Sequence, residues 1–220
     1  MPRLNQVHKK DAAPNVDKLY DMVFGDRDPV AEPGTHSGTI GDFWTVFANS
    51  PDMFDHIVSG FGFYRSRRRR VEPIHRELAQ TRVGWLTQSK FVFSQHCKTL
   101  RDLGVSEERI DAVKVGPSSR LFDPNERTVL AYADCLVSDL GRTPERLFDE
   151  LRTFMDDEQI LELTYISGLY LMHGVFSRAL RLEFDNRDDA VSEVAGSQGF
   201  FDEKNNWANN SNSPTVRKQS

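Results

Sequence analysis

The chain has 220 residues, 38% of them hydrophobic, and a formal net charge of −5. That is apolar material for one domain of roughly 150–170 residues with polar ends, and the acidic balance argues against general nucleic-acid binding. Its two cysteines, Cys97 and Cys135, make neither a disulfide framework nor a Cys-x-x-Cys pair, and no Cys/His set has zinc-finger spacing. Met1–Lys10 lacks an apolar core, so no secretory signal is expected. The longest apolar run, Thr164–Phe176, is too short to span a hydrocarbon core of about 30 Å. A reducing, cytoplasmic setting without a membrane partner is the expectation.

Residues 1–14 read as disordered, and Val16–Phe24 as a short helix with Leu19, Met22 and Val23 at helical spacing. Gly25–Gly41 is Pro-, Gly- and Asp-rich and reads as a loop able to wrap a neighbouring surface, with His36 solvated. Asp42–Ser66 reads as two helices, the second restarted by Ser50-Pro51 as N-cap and first-turn proline. A basic run follows, Arg65 and Arg67–Arg70. Its readings are a solvated or inter-subunit face, arginines that draw in an anionic substrate, and a weakly supported nucleic-acid patch.

His75–Leu103 is expected to be a long helical segment bent near Gly84 or Gln88. Gly104 serves as its C′ residue, and Ser106-Glu-Glu caps a short helix through Val115. Asp123-Pro-Asn-Glu126 is a capping box opening a helix to about Val137, and Thr143-Pro144 opens another. Asp156-Asp-Glu-Gln159 is a second capping box before the most apolar helix, Ile160 to about Leu182. Apolar nearly all round, that helix belongs at the centre of the bundle or in a subunit interface. No stretch alternates like a strand. The fold class is therefore all-α, with a polar arm and loop over 1–41, a helical domain over 42–184 and a disordered tail over 185–220 in which Phe200, Phe201 and Trp207 are able to dock.

The long central segment carries Glu77 near its start and His96 towards its end, among Leu78, Val83, Leu86, Phe91, Phe93, Leu100 and Leu103. An acid and an imidazole on an apolar element sit where pKa values shift, as acid–base chemistry requires. The competing structural reading has Glu77 exposed and His96 as a hydrogen-bonded helix histidine. Adjacent helical residues diverge by about 100°, so Cys97 does not work beside His96 and reads as a small buried hydrophobe.

Several runs together resemble the carboxymuconolactone decarboxylase and alkyl hydroperoxidase D-like (AhpD-like) family. They are His75-Arg-Glu77, Thr81-Arg82-Val83, Phe93-Ser-Gln-His96 and Leu103-Gly-Val-Ser-Glu-Glu-Arg-Ile110, with Glu126–Asp134 and Glu158–Tyr170 in the second half. The resemblance spans roughly Asp42–Phe184. It implies an AhpD-like helical bundle that assembles as a homo-oligomer, a trimer or hexamer, with a buried and often inter-subunit pocket. It also implies catalytic roles for Glu77 and His96. The two thiol positions of the peroxidase branch fall at Ser89 and Val92, so peroxidase chemistry is not expected at that site. The decarboxylase branch's second acid is replaced by Val92.

The resulting expectation is a cofactor-free, decarboxylase-like enzyme acting on a small carboxylated lactone or related cyclic acid. His96 transfers the proton, Glu77 orients it or relays its proton, Ser89 and Val92 line the pocket with His96, and Gln95 or Arg82 takes a carboxylate. A metal site drawn from His75, Glu77, His96 and His173 is the second enzymatic reading; His75 and Glu77 diverge on a helix, and no metal is expected. The third is a non-catalytic accessory or scaffold subunit, or a divergent hydroperoxidase-like protein without the thiol pair. An open cavity beside a hydrogen-bonded His96–Glu77 pair separates an enzyme from a scaffold.

Overall fold

The structure, a computed structural model, describes residues 1–185 and 190–194. Among these the secondary structure is entirely helical: α1 Pro14–Phe24, α2 Asp42–Phe47, α3 Pro51–Arg65, α4 Pro73–Leu86, α5 Lys90–Asp102, α6 Glu107–Ala112, α7 Pro124–Ser138, α8 Glu145–Arg152 and α9 Asp157–Leu180. Both expected capping boxes form, Asp123 with Glu126 on α7 and Asp156 with Gln159 on α9. Ser106 caps α6 through the Arg109 amide, and Gly104 takes the left-handed φ of +81° that ends α5. Ser50 makes no side-chain cap, and Pro51 alone starts α3.

The central segment is two helices rather than one bent helix. Its chain reverses at Thr87–Ser89, where Gln88 adopts φ +56°. Ser89 then caps α5 by accepting from the Val92 amide at 3.1 Å. A polar Thr-Gln-Ser run with a good N-cap outweighs the apolar periodicity on either side of it. The hairpin is tight because Gly84 lets α5 approach: a Cβ there would stand 2.5 Å from the Phe93 amide nitrogen.

α4 is the hub, packed by α5, α7 and α9. One apolar cluster joins Ala79, Val83, Val92, Val129, Leu163 and Ile166. A second joins α4 and α5 to α6 and α7 through Leu78, Phe93, Cys97, Leu100, Ile110 and Leu130. A third gathers α1, α2 and α3 with Leu182.

The first residues, expected to be disordered, form a strap instead. The Arg3 amide donates to the Leu180 carbonyl and the Val7 amide to the Thr45 carbonyl, both at 2.9 Å. The strap has no periodicity and is held by backbone bonds to distant elements, so it leaves no pattern in the sequence. Residues after α9 pin the bundle as well: Glu183 accepts from the Gly41 and Phe43 amides, and Asp185 accepts from Ser89 Oγ and the Phe91 amide. Phe200, Phe201 and Trp207 lie outside the described residues.

The basic run divides among neighbours. Arg69 pairs with Glu162 at 2.8 Å, and Arg70 pairs with Asp156 and Glu158, tying the α3–α4 link to the start of α9.

Candidate active site

Glu77 faces inward from the second turn of α4, and His96 from the middle of α5. Reversal at Thr87–Ser89 lays the two helices side by side and brings the two side chains together. The Glu77 carboxylate and His96 Nδ1 are 2.7 Å apart, with the carboxylate fully buried and the imidazole 2% exposed. The structural reading with an exposed Glu77 therefore does not hold.

Two further groups serve the carboxylate. Tyr64, on α3, donates its hydroxyl to Glu77 at 2.7 and 2.9 Å. Arg76 donates Nε to the same carboxylate at 2.9 Å and Nη1 to the Tyr64 carbonyl at 3.3 Å. Burial pushes the Glu77 carboxyl upward, but the hydrogen bond and charge of His96, with Arg76 and Tyr64, more than offset it and hold it below the usual carboxylate range. The Tyr64 phenol is held well above its ordinary value by burial and by the adjacent Glu77 charge, so it stays a donor.

An anionic Glu77 fixes the imidazole tautomer. Nδ1 carries the hydrogen that faces the carboxylate, which leaves Nε2 as the nitrogen able to exchange a proton. Nε2 is buried and has no hydrogen-bond partner among the described residues. Tyr170, from α9, stacks edge-on against the imidazole with centroids 4.2 Å apart and holds the ring in place.

His96 opens onto a cavity of about 230 Å³. Trp44, Phe61, Phe91, Val92 and Tyr170 make its apolar walls, and Arg65, Arg76, Gln95 and His173 are polar groups on the same walls. The loop before α2 covers one side through Thr35, His36, Ser37 and Thr39. It is fastened there by Lys98 Nζ, which donates to the Ser37 carbonyl at 3.0 Å. That loop carries no sequence sign of chemistry, because its contribution comes only from where it folds back.

Val92 lines the cavity as expected, and Gln95, expected to take a carboxylate, lines it too. Ser89 and Arg82 do not. The Ser89 hydroxyl is spent capping α5 and donating to Asp185 at 2.5 Å, on the far side of the α4–α5 turn. Arg82 binds Asp134 through Nε and Nη2 at 2.6 and 3.1 Å, and the Val113 and Lys114 carbonyls through Nη1. Those bonds make it a clamp between α4, α6 and α7, with no donor turned to a substrate. His75 packs edge-on against Phe154, apart from the cavity, and among the described residues no three His, Cys, Asp or Glu side chains group as metal ligands. Cys97 and Cys135 are both buried and unpaired. Burial pushes the Cys97 thiol up to about 12, which makes it inert as a nucleophile.

Sequence reasoning passed over Tyr64, Arg76 and Tyr170, and considered His173 only as a metal ligand. The one local signal was Arg76 beside Glu77; the others come from α3 and α9 and meet the pair only in the folded chain.

A sequence model of the carboxymuconolactone decarboxylase family matches residues 52–134, the span that supplies Tyr64, Arg76, Glu77 and His96. An uncharacterized protein of Mycobacterium tuberculosis is 25% identical over 160 residues, covering 66% of this chain and 53% of its own length. The chain thus spans about half the length of that mycobacterial relative. Among solved structures, a protein of unknown function from Agrobacterium tumefaciens shares 24% identity with a TM-score of 0.56, over 61% of this chain and 92% of that one. An uncharacterized peroxidase-related protein from Ralstonia eutropha JMP134, described by its alkylhydroperoxidase AhpD core, superposes with a TM-score of 0.66 at 14% identity, over 85% of this chain and 93% of its own. At such identities the two structures speak for the fold alone.

Proposed function

We propose, from the premise that this chain belongs to the carboxymuconolactone decarboxylase/AhpD-like family, that it is a cofactor-free acid–base enzyme of the decarboxylase type acting on a small carboxylated lactone or related cyclic acid. One observation carries the reading: His96 Nδ1 is tied to a buried carboxylate, Nε2 has no partner among the described residues, and the residue lines a cavity. A scaffold has no use for a pre-oriented imidazole beside an open hollow, and filling the hollow with side chains would stabilise it.

The chemistry follows from that arrangement. Loss of CO2 from the acid leaves its electron pair on carbon, delocalised into the conjugated carbonyl as an enolate. The His96 imidazolium gives its Nε2 proton to carbon, and a solvent proton restores it. Glu77, itself held by Arg76 and Tyr64, stabilises the imidazolium and keeps the ring aimed. Gln95 Nε2 is buried, without a partner among the described residues, and lines the same cavity. With Arg65 and Arg76 it supplies the electropositive wall that receives an anion. The peroxidase alternative has less support: Ser89 is committed to its cap, Val92 is apolar, and the two thiols are buried apart.

The functional unit takes in the loop before residue 42 along with the 42–184 bundle, since both line the cavity. Among the described residues no helix is long and apolar enough to cross a membrane. Two unpaired thiols support a reducing, cytoplasmic setting.

The test is a thermal-shift screen of carboxylated lactones and carboxylated phenolics, followed by measurement of CO2 release from each stabilising compound. Stabilisation with CO2 release supports the reading. Turnover of hydroperoxides in place of acids, or neither binding nor turnover, removes it.

We also propose that the chain self-associates through α9. Leu161, Tyr165 and Val175 are 68%, 48% and 53% exposed. With Gly168 and Met172 they form one stripe at alternating four- and three-residue steps, the spacing of a helix-pairing seam. The stripe is self-complementary about Gly168. Leu161 and Val175 lie seven residues to either side, Glu158 and Arg178 ten, so an antiparallel second copy sets leucine on valine and glutamate beside arginine. Such a palindrome is what a two-fold contact requires. It builds a dimer, or the two-fold axes of a hexamer.

A further inference from the structure

His173 is the polar group for which the chemistry above has no use. It stands on α9, is 1% exposed and lines the cavity. Neither of its ring nitrogens has a hydrogen-bond partner among the described residues. Buried polar atoms are nearly always paired, and an orphan keeps the full cost of its lost hydration. Nothing about this ring is loose. Phe43, Phe61 and Tyr170 pack around it with centroids 5.6, 4.8 and 5.3 Å away, so it cannot turn out to solvent for a partner. A ligand in the cavity is the partner its position admits.

We propose that His173 is a specificity contact that selects acids bearing an uncharged ring oxygen, a hydroxyl or carbonyl, in addition to their carboxylate. The inference rests on the cavity being the site proposed above, and names its substrate class more closely. The charge state of the ring decides which oxygen it takes. Burial, with a smaller push from His96, holds His173 down at about 3, so near neutrality it presents one N–H and one lone pair and no charge. An uncharged imidazole within aromatic walls is a poor site for a carboxylate and a good one for a hydroxyl, which both donates and accepts. The anion is served elsewhere, by Gln95, Arg65 and Arg76. Two imidazoles thus divide the work: His96, on its carboxylate, carries the mobile proton, and His173 reads a neutral oxygen. A site built to hydrogen-bond a hydroxyl rejects the isostere that lacks it far more strongly than an apolar pocket rejects an extra methylene.

The experiment measures binding of benzoate, the three hydroxybenzoates and the three methylbenzoates by calorimetry to the full chain and to its His173→Phe and His96→Gln variants. The methyl acids match the hydroxy acids in size and lack only the hydrogen bond. At least one hydroxy isomer should bind the unaltered chain tenfold or more tighter than its methyl counterpart. The gap should fall below twofold in His173→Phe and persist in His96→Gln. Acids that bind without any hydroxyl preference, or a gap that survives in folded His173→Phe, overturn the role of His173 and leave the acid-binding cavity standing. Failure of every acid to bind overturns the substrate class, and this inference with it. Should His173→Phe not fold, histidine 15N spectra of the unaltered chain decide: a ring nitrogen that shifts with the hydroxy acid and not with the methyl acid supports the contact, and identical spectra refute it.

Discussion

At the scale of single residues, the proposed chemistry depends on one proton carrier and the groups that hold it. His96→Gln keeps the side chain's size and one polar contact to Glu77 but removes the titrating nitrogen. A positioned acid–base contributes typically 10²–10⁴-fold, so steady-state turnover should fall at least a hundredfold while the thermal melt and helical circular dichroism stay near those of the unaltered chain. Turnover within a few-fold of normal would remove His96 from the chemistry. The pair itself was legible before folding: the resemblance marked Glu77 and His96, and the apolar residues around them implied burial. Arg82 and Ser89 were misjudged for a common reason. A charged or hydroxylated side chain in a motif looks the same in sequence whether it serves a ligand or a neighbouring helix, and here Asp134 and Asp185 claimed them.

Among the elements, the α4–α5 turn decides whether the acid and the imidazole meet. Ser89 holds that turn twice, as the cap of α5 and as donor to Asp185, and it is fully buried. Ser89→Ala leaves both the Val92 amide and the Asp185 carboxylate short of a partner. The expected loss is about 1–3 kcal/mol, read as a lower urea midpoint at unchanged slope. A midpoint that does not move would mean that water replaces the hydroxyl at no cost. The same element shows where periodicity misleads, since apolar residues on both sides of Thr87–Ser89 suggest continuity and only the capping chemistry argues for a break. α9 makes the second case. Its apolarity on all sides points to either a core or an interface; the structure puts Leu163 and Ile166 in the core and leaves Leu161 and Val175 exposed, the face on which the proposed self-association would act. Leu161→Glu sets an unpaired carboxylate against the valine of an antiparallel second copy and should lower the mass measured by sedimentation at micromolar concentration. A variant that sediments like the unaltered chain would move any self-association to another surface.

For the whole molecule, two buried groups with large shifts push the pH dependence of stability in opposite directions. Burial, with the nearby Asp42 charge, raises the Glu183 carboxyl from 4.5 to about 7 against the pull of its amide donors. Between those values the folded chain keeps a proton that the unfolded chain has released, so this contribution to stability falls as pH rises through the window. His173 runs the other way. Its folded value of about 3 lies below the ordinary 6.5, so its contribution is complete above 6.5 and is lost as pH falls towards 3. Removing one group should expose the slope of the other. Relative to the unaltered chain, Glu183→Gln should gain about 2 kcal/mol of unfolding free energy between pH 5 and pH 8. Urea titrations at the two pH values check this, and an unchanged difference would mean that Glu183 titrates normally.

What the sequence by itself determined are the quantities written locally: an all-α chain, the starts of α6, α7 and α9 from their capping residues, the absence of a thiol pair, and an acid and a histidine on neighbouring apolar segments. Helix periodicity and capping act over three or four residues, so a short window of sequence contains them. Only the tertiary structure decided that Tyr64 and Arg76 hold Glu77, that the loop before α2 closes over the cavity, and that His173 faces the space His96 opens onto. Those contacts join side chains from separate elements whose mutual placement is set by packing the whole core, and no local pattern records how that packing resolves.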